Sequence, residues 1–288
     1  MKTYFMALFI AVLLCFTQAQ SQENLIRLKQ INAVKTNFKN LKSGETVNKT
    51  IVFKDGKIHQ IKTSDVVQSF FYNPKGILDM TVKERVGSEW KEVVNYTYDS
   101  ANQITKFTKK YDENGEKITK TVTFKYEGSR VRAITKKSNL HQDFVEDNEY
   151  VVQNGSIVRR SSRDRNGQII RKREYNYFKE NLSNDKELLG DKTIIYYSYD
   201  DKNSVKVLMA KNTFGDNYKV IVPLISFYED EFDFQSISDH NELASKATSA
   251  NYVGKTATYT YNSNNYPSSQ FLVEENGIIK TKTTYLYE

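Results

Sequence analysis

The sequence predicts an all-β protein: an antiparallel meander of repeated β-hairpins forming a long curved sheet or barrel-like structure, with a short N-terminal helix. Three observations predict it. Six segments end in an aromatic-x-aromatic step, glycine-containing turn signals recur at short intervals, and an aliphatic residue reopens the chain after many of the turns.

The aromatic steps are Tyr96/Tyr98, Phe124/Tyr126, Tyr175/Tyr177, Tyr197/Tyr199, Tyr259/Tyr261 and Tyr285/Tyr287. A spacing of two places both rings on one face of a strand. The residues between them are mostly polar, as at Thr97, Lys125, Asn176, Ser198 and Thr260, which is the alternation of a half-buried strand. The turn signals include Asp55-Gly56, Lys75-Gly76, Asn114-Gly115, Glu127-Gly128, Asn154-Gly155, Asn166-Gly167 and Asn276-Gly277. Asn-Gly suits a type I′ turn because both central residues take positive φ. Between Asn114 and Gly167 the signals recur about every 12–14 residues, counting one near His141, as in all-β sheets. Ile104, Ile118, Val131, Ile157 and Ile278 follow turns.

Taken from the N-terminus, residues 1–19 have the layout of a secretory signal peptide. Lys2 is the basic start, the run Met6–Leu14 is apolar, and Thr17 and Ala19 are small residues at −3 and −1 for cleavage after Ala19. The run is shorter than the roughly 20 apolar residues that span a bilayer. Leu13 and Leu14 precede Cys15 and break the pattern for lipid attachment there, so cleavage removes the one cysteine. The exported chain then has no disulfide and relies on its core.

Residues 20–48 read as a helical or poorly ordered lead-in. Leu25, Leu28, Ile31, Val34, Phe38 and Leu41 recur at three to four residues, and Gly44 would end a helix over 24–42. Residues 49–288 read as the hairpin domain. Within it, residues 182–192 resemble a longer loop. The segment 228–250 breaks the alternation, with Asp239-His240-Asn241-Glu242 as a capping box before a short helix. These breaks divide the array into a long block and a short terminal one.

Tyr96-Thr97-Tyr98-Asp99-Ser100-Ala101-Asn102-Gln103-Ile104 resembles the tyrosine-aspartate repeat of Rhs-type proteins. Tyr197–Val205 repeats it in phase, Tyr259–Pro267 carries Asn262 in place of Asp, and Tyr111–Ile118 is looser. Asn102, Asn203 and Asn265 stand where the repeat usually has glycine, and Asn tolerates the left-handed conformation. The resemblance covers roughly residues 50–288. With its signal peptide, the chain is similar to secreted Bacteroidetes proteins of unknown function built from such hairpins. That resemblance implies a long curved antiparallel sheet, sometimes described as porin-like, and no established activity.

Composition bounds the function. The 20 Tyr and 16 Phe, with 3 Pro, argue for a folded chain despite a mean hydropathy of −0.64. The net charge of +7, to which Lys2 contributes one, suits contact with anionic partners. His59, His141 and His240 are isolated, and a zinc site needs three or four ligands. The cluster Glu229, Asp230, Glu231 and Asp233 is a weak calcium candidate, read as a solvated loop. No nucleophile elbow, phosphate loop or zinc-protease motif is present, so no catalytic, cofactor or metal residues are assigned.

The candidate ligand-binding residues are Tyr96, Tyr98, Tyr197, Tyr199, Tyr259 and Tyr261, as a ladder for sugar rings, and Arg159, Arg160, Arg171 and Arg173, as a phosphate-binding patch. Each set has a plainer reading, as cross-strand packing and as a solvated strand face. The expectation is an exported, periplasmic or extracellular, non-catalytic binding or scaffold protein. Its partner is a cell-envelope glycan or protein rather than nucleic acid. The alternatives are a polysaccharide hydrolase using an unrecognised carboxylate pair, and an outer-membrane-associated β-barrel. A barrel that crosses lipid needs an apolar outer band, and Thr, Lys and Arg fill most alternate strand positions.

Overall fold

A computed structural model describes residues 26–37, 45–113, 115–138, 146–226, 237–249, 252–275 and 278–288. The expected signal peptide, Cys15, His141 and the acidic cluster at 229–233 lie outside the described residues.

Eighteen strands form one antiparallel sheet. They are β1 (Leu28–Asn37), β2 (Glu45–Lys54), β3 (Lys57–Lys62), β4 (Val66–Tyr72), β5 (Leu78–Arg85), β6 (Lys91–Tyr98), β7 (Ile104–Glu113), β8 (Glu116–Glu127) and β9 (Arg130–Lys137). Then follow β10 (Glu146–Gln153), β11 (Ser156–Arg163), β12 (Ile169–Phe178), β13 (Asn181–Glu187), β14 (Ile194–Tyr199), β15 (Glu242–Ala247), β16 (Lys255–Tyr261), β17 (Pro267–Glu274) and β18 (Ile279–Tyr287). Each strand pairs with the next, and β1 pairs with both β2 and β18, so the sheet closes into a barrel. The open curved alternative is thereby excluded.

One irregularity recurs. The register shifts beside Phe53, Tyr72, Tyr98, Tyr177, Tyr199 and Tyr261, always at the end of an even-numbered strand. Each bulge gives the following strand an extra residue and sharpens its twist. Residues three apart then share the inner face, as Ile58 with Ile61 and Ile104 with Phe107 do.

A bulge also explains why the N-terminal segment is not the expected helix. Leu28 and Ile31 are 0% and 5% exposed, three residues apart, which imitates a helical stripe. The structure makes them part of strand β1, with a register shift between Leu28 and Gln30. Three further expectations are corrected. Residues 182–187 belong to β13 rather than a loop. Glu242 opens β15 rather than a helix. The sheet runs on without dividing into two blocks, because β14 pairs directly with β15.

The helix lies elsewhere, between β14 and β15. Helix α1 (Val205–Phe214) and helix α2 (Tyr218–Ser226) are joined by a 3-10 turn, Gly215–Asn217. Ser204 caps α1, its hydroxyl accepting from the Val207 N–H at 3.4 Å. In α2, Ile221, Val222, Leu224 and Ile225 are all fully buried, while Tyr218 and Lys219 at its start are only partly buried. Eighteen strands enclose more space than wall side chains can fill, and this pair fills part of it. Val205, Phe214, Ile221 and Leu224 join one continuous core with Ile58, Phe107, Val122 and Tyr150 of the wall.

Candidate functional site

The helix pair is tied across one end of the barrel. The Asn212 amide donates to the Gly56 carbonyl at 2.9 Å, in the β2–β3 turn. The Asn217 amide donates to the carbonyls of Ala101 and Asn102, in the β6–β7 turn, at 2.9 and 3.1 Å. Lys219 pairs with Glu180, in the β12–β13 turn, at 2.9 Å, and with Asp239 at 3.0 Å. Three turns spaced around the rim thus hold one plug.

The two faces of the wall differ in chemistry. Outward residues include Thr108, Thr121 and Lys136 in one cross-strand row and Lys125, Arg132 and Glu149 in another. Arg132 holds Asp147 of the neighbouring strand through two nitrogens, the shorter contact at 2.6 Å. The outer face thus carries charged side chains together with exposed apolar ones such as Phe71, Ile170 and Phe271.

The candidate tyrosines point inward. Tyr96 is buried against Phe107, with ring centroids 6.3 Å apart. The hydroxyls of Tyr98 and Tyr259 bond the carbonyls of Leu78 and Glu242 at 2.7 and 3.0 Å. Tyr199 accepts from the Ser238 hydroxyl, and Tyr261 donates to Asp200. Burial pushes the hydroxyls of Tyr98, Tyr197, Tyr199 and Tyr259 far above the ordinary tyrosine value. An exposed ladder for stacking on sugar rings is therefore not what they form; inward alternation makes them packing.

The arginines divide. Arg159 faces outward and lies 3.7 Å from Glu174. Arg160 stands opposite both Tyr150 and Arg173, and Arg171 stands opposite Ser162, so these three share the inner face. Arg173 lies 3.5 Å from Asp185 and 3.4 Å from Glu187. Arg160, Arg171, Arg173, Tyr175, Glu187 and the end of α2 at Ser226 enclose a cavity of about 370 Å³. A second cavity of about 520 Å³ shares Arg173 and reaches Tyr197, Lys206, Glu242, Lys255 and Gln270.

Asp185 is 1% exposed, and burial raises its carboxyl above the ordinary value, opposed by Arg173 and by the Tyr197 hydroxyl that donates to it at 2.9 Å. The Asp185/Glu187 pair is drawn together on Arg173, which engages both carboxylates. In the neighbouring sector, β5–β9, the inner row runs Lys83, Glu92, Lys109, Lys120 and Lys137. Glu92 pairs with Lys109 at 2.9 Å, and Glu113 with Lys137 at 2.9 Å. Among the described residues, no group of three or more His, Cys, Asp or Glu is placed to hold a metal ion. Sequence reasoning missed the lysine row. Its signal was available: Lys109, Lys120 and Lys137 continue the inward phase set by Phe107, Val122 and Thr135.

No family model and no curated protein matches this chain. Among solved structures it is similar to a porin-like protein from Bacteroides vulgatus ATCC 8482, at 10% identity and a TM-score of 0.43, covering 91% of this chain and 99% of that one. It is also similar to a porin-like protein from Bacteroides uniformis ATCC 8492, at 14% identity and a TM-score of 0.34, covering 91% and 98%.

Proposed function

We propose that this chain is an exported, non-catalytic β-barrel of the cell envelope. It works on the aqueous side of the outer membrane as a binding or scaffold protein. The observation that supports this reading is a closed barrel with a charged outer wall, plugged at one end by its own helices. The closed sheet favours the barrel alternative over an open hairpin array. The outer lysines favour association with a membrane surface rather than passage through it, and the positive net charge suits an anionic surface. The plug argues against a through-channel, and what remains inside is a blind, polar chamber. Its two cavities fall in the size range of small-molecule sites, roughly 300–1,000 Å³.

Fractionation of cells expressing the full chain tests the reading. The protein is expected in the soluble periplasmic fraction, or to leave membranes in high salt or alkaline carbonate without detergent. Retention in the membrane until detergent is added would overturn it.

A further inference from the structure

We infer that the rim of the barrel opposite the helical plug docks on an anionic lipid surface, three neighbouring hairpin tips entering the headgroup layer. This deepens the reading of an envelope barrel on the aqueous side of the membrane and rests on it. The turns tied to the plug join even-numbered strands to the odd-numbered ones that follow, so the turns from odd to even form the other rim. Three of these in succession expose large aliphatic side chains. Ile169 and Ile170 open β12 just past the β11–β12 turn, Leu189 lies between β13 and β14, and Val253 lies between β15 and β16. Ile170 is 55% exposed. On the plug rim the exposed apolar residues stand singly, with Phe71, Phe178 and Leu286 near the ends of β4, β12 and β18. Single apolar residues are ordinary on a soluble surface, whereas a group of them rimmed by polar side chains marks an interaction site.

The three tips are held to one another by backbone. The Leu188 N–H donates to the Lys172 carbonyl at 2.7 Å, and the Thr248 N–H donates to the Ile194 carbonyl at 2.9 Å. Within the first tip, the Asp164 carboxylate accepts from the N–H groups of Asn166 and Gln168, both at 2.9 Å, and Arg163 donates to the Gly167 carbonyl at 3.2 Å. The aliphatic side chains thus stand on an ordered platform. Charge selects what it meets. Residues 163–172 and 188–193 carry five cations and two carboxylates, and one of the two, Asp164, is engaged with its own turn. Among the described residues, Arg171, Lys172 and Lys192 have no ion-pair partner. A second copy of the chain would set these cations against their like. Anionic headgroups complement them, and the acyl boundary just below takes the aliphatic tips; apolar area and electrostatic attraction act together on such a surface. Docked this way the barrel stands on end, its chamber open towards the lipid and its plug turned away.

Vesicle flotation tests the proposal, using the exported protein purified from cells expressing the full chain. Vesicles of phosphatidylethanolamine with phosphatidylglycerol are the probe, and phosphatidylcholine vesicles are the control. The protein is expected to float with the anionic vesicles, to be released as salt rises, and not to float with phosphatidylcholine. Ile170→Ser with Leu189→Ser should lower the partition coefficient by about fivefold or more. Lys172→Gln with Lys192→Gln should lower it by about fivefold or more and flatten its salt dependence. Phe71→Ser with Phe271→Ser, on the outer wall, should change it by less than about twofold. Melting temperatures of the three double variants confirm that each is folded. Equal weakening by tip and wall variants, equal binding to phosphatidylcholine, or no binding to either vesicle would overturn the proposal. So would a dimer that the tip variants dissociate while vesicle binding is unchanged, since the tips would then meet a second copy. A protein that leaves cell membranes in salt but binds no vesicle sinks this inference and leaves the aqueous-side reading standing. A protein that needs detergent to leave them, yet loses vesicle binding only in the tip variants, does the reverse.

Discussion

The hydroxyl of Tyr98 donates to the carbonyl oxygen of Leu78 at 2.7 Å. The same step recurs around the barrel. Tyr177 reaches Ile157 at 3.2 Å, Tyr287 reaches Pro267 at 2.7 Å, and Tyr72 reaches Ile58 at 2.8 Å. In each case a tyrosine at the end of one strand ties down the first turn-proximal carbonyl of the strand before it. The tyrosines thus brace hairpins, and their polar tips are spent on backbone.

Tyr126 breaks the series, because its buried hydroxyl has no hydrogen-bond partner. Tyr98→Phe is therefore expected to cost about 1–3 kcal/mol by leaving a carbonyl under-satisfied. Tyr126→Phe should be neutral or stabilising by up to about 1 kcal/mol. Urea denaturation of both variants measures this; equal losses would refute the bracing role.

The plug should behave as core. Leu224 is fully buried in α2, and Leu224→Ala is expected to destabilise by about 2–5 kcal/mol. Phe271 points outward and is 44% exposed, so Phe271→Ser should change stability by about 0.5 kcal/mol or less in water. A large loss at Phe271, with little at Leu224, would indicate a lipid-facing wall around a loosely held plug.

Asp185 gives a pH signature. Its folded-state value is raised, so the stability it contributes is full below the unfolded value of 3.8 and is lost as pH rises through the folded value. Lowering the pH from 7 towards 4 should therefore shift the stability difference between wild type and Asp185→Asn in favour of wild type. Melting temperatures of the two proteins across that window check the sign, and a shift the other way would show that Arg173 and Tyr197 dominate over burial.

The mature chain is expected to begin at Gln20. Mass spectrometry of the exported protein tests this, and either an intact Met1 or an acylated Cys15 would contradict it.

The strands around the aromatic pairs and the turn residues were legible in the sequence, because alternation is local; which face the rings take was not, since a sugar-stacking ladder and cross-strand packing share one spacing. Asn102 and Asn265 do take positive φ, at 59° and 60°, as their place in the turns required. The Asp99 carboxylate accepts from the Gln103 N–H at 2.9 Å, and Asn262 accepts from Tyr266 at 3.0 Å, so Asn serves there as Asp does. The second copy, Tyr197–Val205, misled. Asp200 instead binds Asn241 across the loop, and Asn203 does not turn the chain back, because Ser204 starts a helix. Residues 205–226 fell within the span 49–288 read as hairpins, and a short run such as Val220-Ile221-Val222 suits a strand as well as a buried helix.

Sequence alone determined which residues of most strands share a face and where the hairpins turn, for these follow from neighbours a few residues apart. Tertiary structure decided that β18 returns to β1, that residues 205–226 fill the space so enclosed, and that arginines from β11 and β12 gather beneath the end of α2. Closure depends on bulges and twist accumulated over eighteen strands. Its consequence, an interior lined by paired charges, exists only once the first strand meets the last.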